Sequence, residues 1–143
     1  MKMKALSISQ PWAWAILYAG KWIENRKWNT NFRSWFLIHA AKSWDQRGYD
    51  YLKSLKIYSL PPREEIRAGG IVGIGKINNV ITEGTDFWFE GPYGFVIKHS
   101  RPLPFRACPG RQRFFNIELP KQYCCFIDDV IYKKIQMEIH KEV

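Results

Sequence analysis

The sequence predicts a mixed α+β fold in which several strands, interrupted by short helices, form a small curled sheet or barrel. Three observations lead there. Runs rich in β-branched and aromatic residues at 71–80, 93–103 and 114–119 read as strands. Residues 12–19 instead repeat their apolar positions at helical spacing, and proline and glycine punctuate the short turns between elements. At 143 residues, with no linker, internal repeat or low-complexity tract, the chain has the size of one domain spanning 1–143.

The elements follow in order. Residues 4–9 form a short strand. Pro11 suits the first helical position, and Trp12, Ala15, Ile16 and Ala19 fall on one face of the helix behind it. Gly20 stands where a helix ends in a left-handed cap. Residues 21–28 read as extended, and 34–40, with Trp35-Phe36-Leu37-Ile38, as a buried strand. Ser43 and Gln46 make a capping box for a second helix whose apolar stripe is Trp44, Tyr51, Leu52 and Leu55. Pro61-Pro62 opens a short helical turn that Gly69-Gly70 closes. Gly73 and Gly75 mark a bulge or a close backbone within the strand 71–80. After Pro120, the spacing of Ile127, Ile131, Ile135 and Ile139 predicts a closing amphipathic helix.

Composition narrows the partner. Hydrophobic residues make up 46% of the chain, enough for a core without disulfides or metal. The aromatic share of 16% exceeds what a core must use, so some rings are available to a ligand. Lysine and arginine number 22 against 13 acidic residues, a formal charge of +9 that favours polyanions. Solubility alone is the competing reading of that charge. Cys108, Cys124 and Cys125 are odd in number, two of them adjacent, and fit neither a disulfide framework nor a metal knuckle. The basic start lacks an apolar core before Gln10-Pro11 and does not read as a signal peptide. No apolar run approaches the ~20 residues that span a bilayer. The expectation is a reduced cytoplasmic or nuclear protein, with no membrane association, metal or cofactor.

Two patterns are decoys. Gly70-Ile-Val-Gly-Ile-Gly75-Lys76 meets seven positions of a phosphate-binding loop, but Ile77 lacks the hydroxyl that Mg²⁺ requires, and the alternation is that of a strand. His39, His99 and His140 are too far apart in sequence for metal-ligand spacing and read as structural.

The densest chemistry lies in Gly20-Lys21-Trp22-Ile23-Glu24-Asn25-Arg26-Lys27-Trp28. Lys21 and Arg26 can hold phosphate, Glu24 can orient a base edge or carry a proton, and Trp28 can stack on a ring. The plainer reading is a strand face with a Glu24–Arg26 surface ion pair. Strict alternation places Lys21 and Glu24 on opposite faces. They share a cleft only if Lys21 belongs to the turn after Gly20, or if the strand bulges.

Here the chain resembles the ASCH domain. The resemblance rests on Leu6-Ser7-Ile8-Ser9-Gln10-Pro11-Trp12-Ala13, on Gly20-Lys21-x-x-Glu24-x-Arg26, on Leu37-Ile38-His39-Ala40 and on Gly91-Pro92-Tyr93-Gly94-Phe95-Val96, in that order across about 4–120. It implies a small PUA-like β-barrel with flanking helices, a role in RNA binding, and a cleft beside the barrel holding Lys21, Glu24 and Arg26. It also implies an alternative, because smaller relatives remove the acetyl group of N4-acetylcytidine and one acts as a ribonuclease. The amidohydrolase pattern has threonine three residues after the lysine, where this chain has Glu24.

A second basic group is Arg106, Arg111 and Arg113, around the Pro109-Gly110 turn and between Phe105 and Phe114. It reads either as a clamp on a phosphate backbone with stacking rings or as a solvated loop. Trp88, Phe89 and Tyr93 around Gly91-Pro92 offer another pocket wall. Three functions follow. The first is an RNA- or nucleotide-binding module with a Lys21–Glu24–Arg26 cleft. The second is a small hydrolase of RNA or a modified nucleoside, with Lys21 as base or nucleophile and Glu24 as proton carrier. The third is an adaptor whose exposed aromatics bind a protein partner. In each, the Glu24 pair is expected to be partly exposed, so that Glu24→Gln harms function far more than stability.

Overall fold

The computed structural model describes residues 1–56, 59–127, 131 and 136. Its elements are β1 (Lys2–Gln10), α1 (Trp12–Tyr18), β2 (Ile23–Arg26), β3 (Trp35–Trp44), α2 (Gln46–Leu55), β4 (Gly70–Ile81), β5 (Tyr93–Ala107) and β6 (Phe114–Glu118). Single 3₁₀ turns lie at Arg63–Glu65 and Tyr123–Phe126. The α+β class is therefore as the sequence predicts. The glycine-rich stretch at 70–77 lies inside β4 and is a strand, not a phosphate loop.

One sheet holds all six strands in the order β2-β5-β4-β3-β1-β6. β1 and β3 run parallel, because α1 and β2 carry the chain back before β3 begins; the other pairings are antiparallel. Alternation along β1 and β3 sends Met3, Ala5, Trp35 and Leu37 to one apolar cluster. Leu6, Ile8, Phe36 and Ile38 point to the other, which α1 joins through Ala13 and Ile16. Register shifts in β4–β5 at Ile71/Gly73, Ile74/Lys76 and Ile77/Asn79 bend this long pair.

Backbone pairing does not close the sheet into the expected barrel, and β2 and β6 remain its edges. The curl is nonetheless strong enough for side chains to cross the gap. Trp28, just past β2, meets Phe114 of β6 edge-on at 5.8 Å, and Arg26 Nη2 donates to the Ser7 carbonyl of β1 at 2.8 Å.

Local corrections have simple causes. Pro11 is the N-cap of α1 rather than its first residue. The Ser43–Gln46 capping box does not form, because β3 continues through Trp44, which pairs with Gln10. Asp45 caps α2 instead, its Oδ1 accepting from Gly48 N at 2.9 Å. Trp44 consequently lies in β3, and of the expected stripe Leu52 is buried while Tyr51 is exposed. In the closing helix expected over 127–139, Ile135 and Ile139 lie outside the described residues; Ile127 and Ile131 are buried in the first cluster. Among the described residues, no helix is long and apolar enough to cross a membrane.

Candidate functional site

Gly20, at φ +69°, takes the left-handed conformation its position suggests, and the Lys21 amide donates to Ala15 O at 3.1 Å. Lys21 is thereby part of the helix exit and lies outside the alternation of β2. Its side chain folds back, Nζ donating to the Ile23 carbonyl and lying 4.0 Å from Glu24 Oε2 and 5.7 Å from the Trp12 ring. Glu24 and Arg26, two apart on β2, share a face, with Arg26 Nε 3.7 Å from Glu24 Oε1. The three charged groups are thus brought together.

This cluster is buried, unlike the partly exposed pair expected from sequence. The Lys21 and Glu24 side chains are only 6% and 11% exposed. Burial holds the Lys21 ammonium below its ordinary pKa, opposed by the nearby charges of Glu24 and Glu90 and reinforced by Arg26. Glu24 Oε2 and Arg26 Nε are buried without a hydrogen-bond partner. A buried carboxylate oxygen in that condition carries the cost of an acceptor left without a hydrogen bond.

The lowered Lys21 pKa carries a pH signature. Between the folded-state value and the ordinary 10.5, the unfolded chain holds a proton that the folded chain has shed. Stability therefore rises with pH in that window, and below it the cost of burying the ammonium is complete. Relative to Lys21→Met, the unfolding free energy of the natural chain should gain up to about 1.4 kcal/mol per pH unit there. Urea unfolding at a series of alkaline pH values measures this difference, and parallel pH courses would contradict it.

Around the cluster lies a pocket of about 280 Å³ walled by Trp12 and Trp88, with Lys21, Glu24 and Asp45 among its polar groups. Asp45 has a second task, since its Oδ2 accepts from Trp12 Nε1 at 2.8 Å and sets that ring. The opposite wall is tied to β2 by Asn25. Its Nδ2 donates to Trp88 O at 3.0 Å, and its Oδ1 accepts from the amides of Glu90 and Gly91 at 2.9 and 3.0 Å.

The pocket shares Ser9, Glu24, Asn25 and Glu90 with a neighbouring recess of about 550 Å³ that includes Ser7, Arg26 and Trp28. Those three residues also border the space beneath Arg111 and Arg113. Small residues make this groove possible. The face of β1 and β3 that carries Ala5 and Leu37 into the core continues as Ser7, Ser9, Ala41 and Ser43, which leave it open. Trp28 lies 5.9 Å from the Arg26 guanidinium and 4.9 Å from that of Arg113, with Phe95 and Phe114 edge-on against it.

The expected arginine trio separates. Arg111 and Arg113 border the groove, whereas Arg106 lies within β5, where its charge acts on Cys108 and on Tyr123, whose phenol burial pushes up to about 12. β5 continues through Ala107, so alternation rather than the turn sets the direction of Arg106. The flanking rings do not serve the loop either. Phe105 lies under Arg67 at 3.8 Å, and Phe114 packs into the second cluster. Of the other proposed wall, Trp88 lines the pocket and Tyr93 packs against the core. Sequence reasoning missed Ser7, Asn25 and Asp45 as site-forming residues. Only the capping preference of aspartate before α2 pointed to one of them.

A family model for the ASCH domain matches residues 6–92, which include Lys21, Glu24 and Arg26 but end before β5 and β6. That match is shorter than the 4–120 span over which the resemblance was read. No curated protein matches the sequence. With more than half of its length covered by that model, the chain belongs to the ASCH domain family.

Proposed function

We propose that this protein binds RNA or a nucleotide, placing one unstacked base in the Lys21–Glu24 pocket and the adjoining phosphates along Arg26, Arg111 and Arg113. The observation that carries the reading is adjacency: the aromatic-walled pocket and the arginine-bordered space each share lining residues with the recess between them. Trp12 and Trp88 line the pocket as rings against which a base can stack, and the Glu24 carboxylate that lines it is the acceptor for a base amino or imino hydrogen. The formal charge of +9 supplies the attraction. The PUA-like barrel of the resemblance belongs to this reading, with Trp28, Phe114 and Arg26 bridging the gap that the backbone leaves.

Titration of a short single-stranded RNA, followed by fluorescence anisotropy, tests the reading. With about three phosphates neutralised, affinity should fall roughly twentyfold between 50 and 200 mM salt. The Arg111→Ala/Arg113→Ala double variant should weaken binding about tenfold for all sequences alike, since phosphate contacts carry no base information. A flat salt response, or unchanged affinity in the double variant, would refute this assignment of the groove.

A second reading, hydrolysis of RNA or an acylated cytidine at the same pocket, is favoured by one observation. Lys21 is buried, lowered in pKa and adjacent to Glu24, as a lysine base or nucleophile requires. Assay against N4-acetylcytidine and short RNAs, with Lys21→Ala as control, decides between binding alone and turnover.

A further inference from the structure

Ser7 and His39 face one another across the parallel β1–β3 pair. His39 is fully buried, with Nε2 2.8 Å from the Cys108 carbonyl oxygen and Nδ1 3.0 Å from Ser7 Oγ. A carbonyl oxygen can only accept, so Nε2 carries a hydrogen, and the neutral form of the ring has its lone pair at Nδ1. The Ser7 hydroxyl therefore donates to His39, and its oxygen lone pairs remain for an electrophile. Ser7 is half-buried and lines the groove, where Arg26 donates from Nη2 to the Ser7 carbonyl oxygen at 2.8 Å.

We propose that Ser7 is a nucleophile, with His39 as its general base, acting on carboxylic esters carried by anionic molecules. The hydrogen-bond order matches the chemistry. A serine hydroxyl is donated to an imidazole whose far nitrogen is anchored by an acceptor, which orients the ring for proton transfer. The Cys108 carbonyl takes the anchoring place. The loop allows this closeness only through glycine: a Cβ on Gly110 would stand 2.9 Å from Ser7 Oγ and 2.8 Å from His39 Cε1. The class of substrate follows from the surroundings, since Arg26, Arg111 and Arg113 border the same space and favour an anion. An ester carbonyl is trigonal and uncharged at carbon, and its leaving oxygen requires one proton.

In the first half-reaction, Ser7 Oγ bonds to the ester carbon while its proton passes to His39 Nδ1. The carbon–oxygen bond to the alcohol then breaks, and the alcohol oxygen takes that proton. In the second, a water molecule adds to the acyl carbon, giving one proton to His39. The carbon–Oγ bond breaks, the proton returns to Ser7, and a carboxylic acid leaves. This chemistry does not depend on the Lys21 pocket.

An alkyl fluorophosphonate applied to the full chain is expected to label Ser7, located by peptide mass spectrometry. Labelling in His39→Gln should be roughly a hundredfold slower or worse. Because the buried His39 variant can lose stability, Gly110→Ala provides a second arm that retains both groups but crowds a methyl group against Ser7 Oγ and His39, and it too should slow labelling. Hydrolysis of p-nitrophenyl hemisuccinate should exceed that of p-nitrophenyl acetate, and Ser7→Ala should abolish both. Label on residues other than Ser7, equal labelling in both variants, or ester hydrolysis unchanged in Ser7→Ala would overturn the proposal. RNA binding, measured separately, is indifferent to each of these outcomes.

Discussion

Glu24→Gln is expected to destabilise the fold by about 3 kcal/mol, because it removes the single carboxylate set between two cations in a buried cluster. Lys21 Nζ lies 4.0 Å from one oxygen of Glu24 and Arg26 Nε 3.7 Å from the other. Both Lys21 and Glu24 are buried, so water cannot take over the neutralisation that the carboxylate provides. The glutamine amide fills the same space but carries no charge, which strips the Lys21 ammonium of its largest opposing charge. Urea denaturation at neutral pH measures the loss through the midpoint. The double variant Lys21→Met/Glu24→Leu should recover part of it, since apolar residues of similar volume commonly replace a buried ion pair without penalty. A loss under about 1 kcal/mol for Glu24→Gln would place the pair among exposed ones, as the sequence suggested.

Asn25→Leu is expected to weaken ligand binding about tenfold and to cost about 2 kcal/mol of stability, by removing the acceptor of two pocket-wall amides and a donor to Trp88 O. The Asn25 side chain ties Trp88 O and the Glu90 and Gly91 amides to β2. Trp88 and Glu90 both face the pocket, so freeing their segment removes a stacking surface that is worth roughly 1–3 kcal/mol per base. Hydrogen exchange at the Glu90 and Gly91 amides reads the effect directly, and both should lose protection. Asn25→Asp keeps an acceptor for the two amides, replaces the donation to Trp88 O by oxygen–oxygen repulsion and adds a negative charge beside Glu24 and Glu90. Unchanged exchange in Asn25→Leu would show that other contacts hold the wall.

The features legible in the sequence were local in origin. Apolar spacing and β-branched runs mark β1, β3, β4, β5 and β6, while Gly20 marks the left-handed exit from α1, because such signals depend on neighbours within a few residues. The Gly20-Lys21-x-x-Glu24-x-Arg26 pattern likewise identified charged groups that do meet, and the turn at Gly20 resolves the conflict between their spacing and strand alternation. Burial was not legible there. Lys21 and Glu24 are enclosed by Trp12 from α1, Asp45 before α2 and Trp88 after β4, and no local pattern states which of these distant segments will arrive. Sheet order decided the rest. β1 lies between β3 and β6, which sets Ser7 against His39 and draws Arg111 and Arg113 to the groove, while alternation in β5 turns Arg106 elsewhere. These are pairings between residues tens of positions apart, chosen by the register and curl of the whole sheet, and only the folded chain contains that information.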